Sequence, residues 1–297
     1  MLKRTVFFSN PARLSLRNEQ MLVRPKTGGE VTIPIEDIGY AVLEHQQVSV
    51  SLPLLNALVQ NNVSVVVCDD RHMPSSMLLN LDGNSIQNEL FSHQINASQP
   101  LKKNLWKQTV EAKIKNQAGL LQKLGVDHED LLTLSRYVKS GDASNREGTA
   151  ARLYWPRLFG PGFVRNRDGP PPNMLLNYGY IVLRAAVARA LSGSGLLPTF
   201  GIFHRNRYNN FCLADDIMEP YRPFVDRIVY RLWLMNPEIT SLEKEHKAEL
   251  LDVLTEDVSF GKVTRPLMVG LSQTTASLAR CFSGETQKLS YPGIVDS

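Results

Sequence analysis

The stretch from Asn173 to Leu191, NMLLNYGYIVLRAAVARAL, constrains the fold of this chain more than any other. Its apolar residues run around most of a helical circumference, so such a helix is stable only when other elements enclose it. Gly179, Ala185, Ala186, Ala188 and Ala190 keep its surface shallow enough for close helix neighbours. Asn173 is read as its N-cap, and Ser192-Gly193-Ser194-Gly195 ends it. A helical assembly is therefore expected around this element. With 297 residues, 43% hydrophobic and 21% charged, the chain has material for that core and for a second domain.

The first part of the chain has a different texture. Thr5–Ser9, Leu14–Leu16, Gln20–Arg24, Glu30–Pro34, Ile38–Leu43 and Val48–Ser51 read as short strands separated by turn formers. Thr27-Gly28-Gly29 predicts a hairpin between Met21 and Ile33. Pro53–Gln60 has helical spacing, with Ser51 as a cap, and Val63–Cys68 is a continuous apolar strand. Asp69, Asp70 and His72 are read as a polar turn, with a metal cluster as the alternative.

From Pro100 the apolar residues Leu101, Leu105, Trp106, Val110, Ile114, Ala118, Leu121 and Leu124 repeat at three and four, with lysines between them. Lys102, Lys103, Lys107, Lys113 and Lys115 are read as a solvated face or as contacts to a phosphate backbone. Gly125 ends this helix, and Asp130–Val138 supplies another. A helix after Ser144 runs to Pro156, Gly160–Pro172 is a loop, and further helices cover 241–254 and Pro266–Phe282. The tail from Tyr291 is expected to be loose. The fold class is α+β: a small β-rich domain with a short helix over residues 1–75, a connector over 76–98, and a larger all-helical domain over 99–297.

Composition excludes several functions. No uninterrupted apolar run reaches the roughly 18 residues of a membrane span, and Asn10, Pro11 and Arg13 interrupt the start before a signal-peptide core forms, so a cytoplasmic protein without membrane contact is expected. Cys68, Cys212 and Cys281 lack metal-site spacing and read as small buried hydrophobes. Neither a glycine-rich phosphate loop nor a G-x-S-x-G elbow is present. The formal charge is +4, but arginines crowd the middle of the chain, and their planar forks suit phosphate contacts and buried ion pairs alike.

Candidate chemistry gathers in HRNRYNNFCLADDIMEPYRPFVDRIVYR, from His204 to Arg231. Leu213, Ile217, Tyr221, Phe224, Ile228 and Leu232 give it helical spacing, and Pro220 and Pro223 must kink or delay that helix. Asp216 and Glu219 fall three apart on one face. Together with Glu147 and His204 they would form a carboxylate-rich set with one imidazole, which suits Mg²⁺ or Mn²⁺ better than structural zinc and suits phosphodiester chemistry. Each residue also has a plainer explanation. Glu147 sits where a Ser144 capping box would place it, His204 can pack beside Phe200 and Phe203, and Asp216 and Glu219 can pair with Arg222 or Arg227 on a surface.

The segments IPIEDIGYAVLEHQQVSVSLPLLNALVQNNVSVVVCDDRHMP, LWKQTVEAKIKNQAGLL, REGTAARLYWPRLFG, NYGYIVLRAAVARAL and LADDIMEPYRPFVD together resemble the CRISPR-associated adaptation integrase, the universal spacer-acquisition nuclease, in its type II branch. The resemblance implies a prokaryotic protein that forms homodimers partly through the β-rich domain, two of which flank a dimer of the small second adaptation protein. It implies capture of double-stranded or branched DNA, its insertion into a repeat array by a metal-dependent attack of a 3′-hydroxyl, and a link to the type II effector machinery. Glu147, His204 and Glu219 match the family's metal ligands, and Asp216 is a supporting candidate. Arg146, Arg165, Arg167, Arg205, Arg207, Arg222, Lys102, Lys103 and Lys107 are the expected DNA contacts. A repair nuclease without integrase activity, or a DNA-binding scaffold with a structural acidic cluster, are the competing functions.

Overall fold

The computed structural model describes residues 3–80 and 83–294. The chain divides into two compact units, Met1–Ser85 and Ile86–Ser297.

The first unit contains β1 (Arg4–Phe8), β2 (Ala12–Arg17), β3 (Gln20–Pro25), β4 (Val31–Pro34), β5 (Ile38–Leu43), β6 (Ser49–Val50), α1 (Leu52–Gln60), β7 (Ser64–Cys68) and β8 (Pro74–Leu78). These strands form two four-stranded sheets, ordered β1-β5-β7-β8 and β4-β3-β2-β6. In the first sheet β5 lies parallel to both β1 and β7, and β8 closes the edge antiparallel. Central parallel strands read as unbroken apolar runs, which is why β5 and β7 stand out in sequence. Met21 pairs with Ile33 across the predicted hairpin, whose Gly28 has φ +111°. Leu54 and Leu58 of α1 pack with Leu14, Met21, Ile38 and Val65 in the core.

Two details of this unit depart from expectation, and one agrees with it. Ser51 precedes α1, but its hydroxyl makes no capping bond. The segment expected to open a connector at residue 76 lies inside β8, and of the Asp82-Gly83-Asn84 turn, Asp82 falls outside the described residues. The turn after β7 is a polar one, since Asp69 Oδ1 accepts from the backbone N–H groups of Arg71 and Met73.

The second unit contains α2 (Gln87–Ile95), α3 (Gln99–Lys123), α4 (Glu129–Arg136), α5 (Arg146–Phe159), α6 (Asn173–Gly193), α7 (Cys212–Met218), α8 (Arg222–Met235), α9 (Lys244–Leu251), β9 (Asp257–Phe260), β10 (Val263–Pro266), α10 (Leu267–Phe282) and β11 (Gly293–Ile294). Helix α6 is its centre, with Leu175, Leu176, Leu183, Val187 and Leu191 fully enclosed. A Cβ on Gly179 would fall 2.4 Å from Val225 Cγ1 and 3.4 Å from Leu250 Cδ2, so glycine there lets α8 and α9 approach. Among the described residues α6 is also the one helix long and apolar enough by composition to cross a membrane, and most of it is buried inside this unit. All three cysteines are buried.

The unit is mostly helical rather than all-helical, because β10, β9 and β11 form a small antiparallel sheet. The end of the chain is held more firmly than expected: Tyr291 shares a hydrogen bond of 2.9 Å with Thr109, and Gly293 and Ile294 pair with β9, while residues 295–297 lie outside the description. Helix α5 continues past Pro156 to Phe159, and Asn173 is the first residue of α6 rather than its cap. The Asn173 side chain instead ties down the preceding loop, accepting from Asn166 N and Arg165 Nη1 and donating to the Val164 and Pro170 carbonyls. Pro220 and Pro223 have the effect their positions predict: α7 passes through a 3₁₀ turn, Glu219–Tyr221, before α8 begins.

Candidate active site

Glu147 is placed by the start of α5. Asn145 adopts a left-handed conformation with φ +49°, and its Oδ1 accepts from Gly148 N at 3.2 Å. Asp142 accepts from Arg146 N and Glu147 N at 2.8 and 3.0 Å. Asp142 and Asn145 therefore supply the caps, not Ser144, and the Glu147 carboxylate has no capping role. A Cβ on Gly148 would fall 2.7 Å from Asn145 Oδ1, so this glycine makes room for the cap.

Lys113 of α3 receives that carboxylate. Its Nζ lies 2.6 Å from Glu147 Oε1 and 2.5 Å from Glu219 Oε2, and the residue is only 9% exposed. Arg222 Nε lies 2.9 Å from the other oxygen of Glu219. Asn116, one turn along α3, donates to the Pro220 carbonyl at 2.7 Å and to the Pro292 carbonyl at 3.0 Å, fixing the 3₁₀ turn that carries Glu219. Burial opposes charge on Glu219, but Arg222 and Lys113 outweigh it and hold the carboxyl down at about 2. Burial likewise opposes charge on Lys113, and Glu219 and Glu147 more than offset it, so the ammonium is held above its ordinary range.

His204 belongs to the same helix junction through Asp216. The His204 Nδ1 lies 2.5 Å from Asp216 Oδ1, while Asp216 Oδ2 accepts from the N–H groups of Ile202 and Phe203 at 2.7 and 2.9 Å. Asp216 is fully buried, and the His204 side chain is 42% exposed. A Cβ on Gly201 would fall 2.5 Å from the His204 carbonyl oxygen and 2.7 Å from Asp216 Oδ2, so this close loop requires glycine. Trp106 stacks on Phe203 at 4.2 Å and meets the His204 ring edge-on at 5.8 Å. Of the aromatic packing expected of His204, Phe203 supplies an edge contact at 5.4 Å, and Trp106 adds one that was not expected, yet the imidazole also faces solvent. Asp216 and Glu219 share a helical face but take different partners, and neither lies on an exposed surface.

His204 opens onto a cleft of about 460 Å³ that Lys102, Arg205 and Arg207 also line. A smaller neighbouring cleft, about 280 Å³, has Lys103, Arg205, Trp106 and Phe203 in its wall. Arg205, Arg207, Arg167 and Lys103 are exposed and Lys107 is half-buried beside Glu111. Two arginines expected to contact DNA are turned inward instead. Arg222 is bound to Glu219 and lies 4.4 Å from the Tyr180 ring centre, and Arg165 donates to Asn173 and Asn177. Arg146 is half-buried, with its Nε enclosed.

The donors suit a hard divalent cation by their chemistry: two carboxylates, one imidazole whose Nδ1 is already engaged, and a buried Glu219 Oε2 on which no hydrogen-bond donor is aligned. Among the described residues, however, no three such side chains stand arranged around an open ion position. Lys113 spans the two glutamates.

Residues 5–249 match the profile of the family described as CRISPR associated protein Cas1. This chain belongs to the Cas1 family. It is 40% identical over 256 residues to the CRISPR-associated endonuclease Cas1 of Neisseria meningitidis serogroup C, covering 84% of each chain. It is 31% identical over 232 residues to a CRISPR-associated endonuclease Cas1 of Pyrobaculum aerophilum, covering 71% of this chain and 76% of that one. Among solved structures, a Cas1 protein from Thermotoga maritima superposes with a TM-score of 0.76 at 18% identity, covering 99% of this chain and 100% of that one. A casposase bound to integration product gives 0.79 at 20% identity, covering 98% and 93%. These two likenesses concern the Cas1 fold.

In this Cas1 chain, Lys113, Asn116, Asp142 and Asn145 shape the site and were not singled out from the sequence for that role. For Lys113 a signal existed: Trp106, Val110, Lys113 and Gln117 fall on one helical face, and all four are buried. A lysine in the buried stripe of a helix needs a carboxylate partner.

Proposed function

We propose that this Cas1 chain is a metal-dependent DNA endonuclease and integrase that inserts short foreign DNA into a CRISPR repeat array. The carrying observation is the convergence of Glu147 and Glu219, from elements far apart in sequence, on one buried position beside an oriented His204 at the edge of a basic cleft. Glu147, Glu219 and His204 Nε2 are the groups that would hold Mg²⁺ or Mn²⁺. When bound, such an ion polarises a phosphoryl oxygen and offsets the charge that develops in the transition state. Asp216 keeps the imidazole aimed into the cleft by taking its Nδ1. Arg205, Arg207, Lys102 and Lys103 bind the flanking phosphates and hold the scissile bond in register. In integration a DNA 3′-hydroxyl attacks the repeat-border phosphodiester and gives up its proton, the phosphate stays on the repeat 5′-oxygen, and the 3′-oxygen of the flanking strand leaves and takes up a proton; in hydrolysis water takes the place of the attacking hydroxyl.

The relatives named as Cas1 endonucleases support the nuclease part of this reading. A related fold in a structure described as a Cas6-RT-Cas1–Cas2 complex supports partnership with a small second adaptation protein. The proposed assembly is two homodimers flanking a dimer of that partner on double-stranded or branched DNA, with the type II effector machinery as a further associate. The test is incubation of the protein, with and without the small partner, with short duplex DNA and a repeat-bearing plasmid in Mg²⁺ or Mn²⁺. Joined strands that require a free 3′-hydroxyl are expected. Shortened strands alone, under every partner condition, would replace integration with hydrolysis.

A further inference from the structure

We infer that Lys113 is a built-in counter-cation that competes with the divalent ion for Glu147 and Glu219, so that the ion binds by displacing its ammonium. This rests on the reading that the two glutamates take the ion. Three observations carry it. The Nζ atom lies within 2.6 Å of a carboxylate oxygen from each glutamate, so both ligand groups converge on one positive charge. Lys113 is buried, and among the described residues no other basic side chain takes the Glu147 carboxylate. Glu219 Oε2 is buried with the ammonium 2.5 Å away, and no other donor among the described residues reaches that oxygen.

The arrangement has a physical rationale. Two carboxylates placed to share a divalent ion repel each other when the ion is absent, and burial increases that repulsion. A flexible ammonium relieves it, keeping the two helices in register while the protein is empty. The same ammonium must then give up its position when the ion arrives, because two cations cannot occupy it. Its four-carbon stem lets it swing aside without movement of α3. Metal loading is thereby made weaker than the donor set alone would allow, and dependent on whatever receives the displaced charge.

The test is Mn²⁺ binding, read as the loss of the free-ion paramagnetic resonance signal, on the full chain without DNA. Lys113→Met keeps the apolar stem and removes the competing charge, and it is expected to bind Mn²⁺ about tenfold more tightly or better. Its melting temperature without metal should fall, and Mn²⁺ should raise it by more than it raises the wild type. Lys113→Arg keeps the charge in a fork that grips both carboxylates, and it should bind Mn²⁺ about tenfold more weakly. This second variant decides the matter if the methionine protein does not fold. Affinities that are unchanged in the variants, or weakened by methionine, would overturn the inference. Failure of the underlying site assignment would look different: the wild type would bind no Mn²⁺, or Glu147→Gln would bind it as well as the wild type.

Discussion

His204 Nδ1 and Asp216 Oδ1 lie 2.5 Å apart, and Asp216 accepts the backbone N–H groups of Ile202, Phe203 and His204 as well. One buried carboxylate thus folds the loop from Gly201 to His204 onto α7 and also sets the orientation of the ring. Its hydrogen bond to His204 raises the imidazole above its usual range against the opposing effect of burial. Burial pushes the Asp216 carboxyl up, against the pull of His204 and the loop N–H groups. Asp216 therefore holds the His204 ring and its loop, and each of its oxygens already takes two hydrogen-bond contacts.

Asp216→Asn preserves size but removes the charge that holds the ring. The His204 pKa is expected to fall towards the ordinary imidazole value, and turnover to drop by about 10 to 100-fold, as for other groups that orient a ligand from behind. Nuclear magnetic resonance titration of the His204 ring checks the first outcome, and strand-transfer rates check the second. An unchanged His204 titration would remove Asp216 from this role.

Glu147 and Glu219 should both be needed for turnover, yet they should differ sharply in stability. Glu219→Gln leaves Lys113 and Arg222 short of a buried partner and is expected to cost about 3 kcal/mol. Glu147→Gln, at a side chain 28% exposed, should cost about 1 kcal/mol. The folded pKa of Glu219 is depressed from 4.5 to about 2, so its contribution is fully present above pH 4.5 and is lost as pH falls towards 2. Denaturant unfolding across that window should show an acid-side slope in the wild type that is reduced in Glu219→Gln. Parallel curves for the two proteins would contradict the ion pairing described.

The legible parts of this fold were those with a period. The all-round apolar pattern of α6, the three-and-four spacing of α3 and the Met21–Ile33 hairpin each follow from local rules. What escaped has no local pattern: β11 is two residues long, and its pairing with β9 is decided by contacts across the unit. The site divides the same way. The helix and prolines around Glu219 were readable, and so was the ambiguity of Glu147, because its capping position is a local fact. That Asp142 and Asn145 would take over the capping, leaving Glu147 to face Lys113, depends on the turn geometry between α4 and α5. Lys113 itself looked like one of several solvated lysines because its partners lie 34 residues away for Glu147 and much farther for Glu219.

The basic residues separate into two groups that salt dependence should distinguish. Arg205 and Arg207 are exposed on the cleft, so alanine at either is expected to reduce the slope of log affinity against log salt for duplex DNA by about 1. Arg222 and Arg165 are engaged inside the protein, so alanine at either should lower the melting temperature while leaving that slope unchanged. Fluorescence anisotropy at several salt concentrations measures both. A slope change for Arg222→Ala equal to that of Arg205→Ala would mean that the inward contacts open on DNA.

Asp226 gives a pH dependence of opposite sign to that of Glu219. Its carboxylate accepts from Tyr154 and Tyr180 at 2.8 and 2.5 Å, wholly inside the helical unit. Burial raises its pKa from 3.8 to about 6, although the two tyrosines, Arg222 and Arg165 all pull the other way. Between those two values the folded protein retains a proton that the unfolded chain has released. The contribution of this group to stability is therefore greatest below pH 3.8 and declines as pH rises to about 6, beyond which it is level. Asp226→Asn removes the ionisation while its amide can still accept from one tyrosine and donate to the other. The variant should be more stable than the wild type at pH 8, by about 1 to 3 kcal/mol, with the difference vanishing towards pH 4. Urea midpoints at the two pH values measure it. Equal destabilisation at both would show that hydrogen-bond geometry around Tyr154 and Tyr180, rather than the buried charge, dominates at this position.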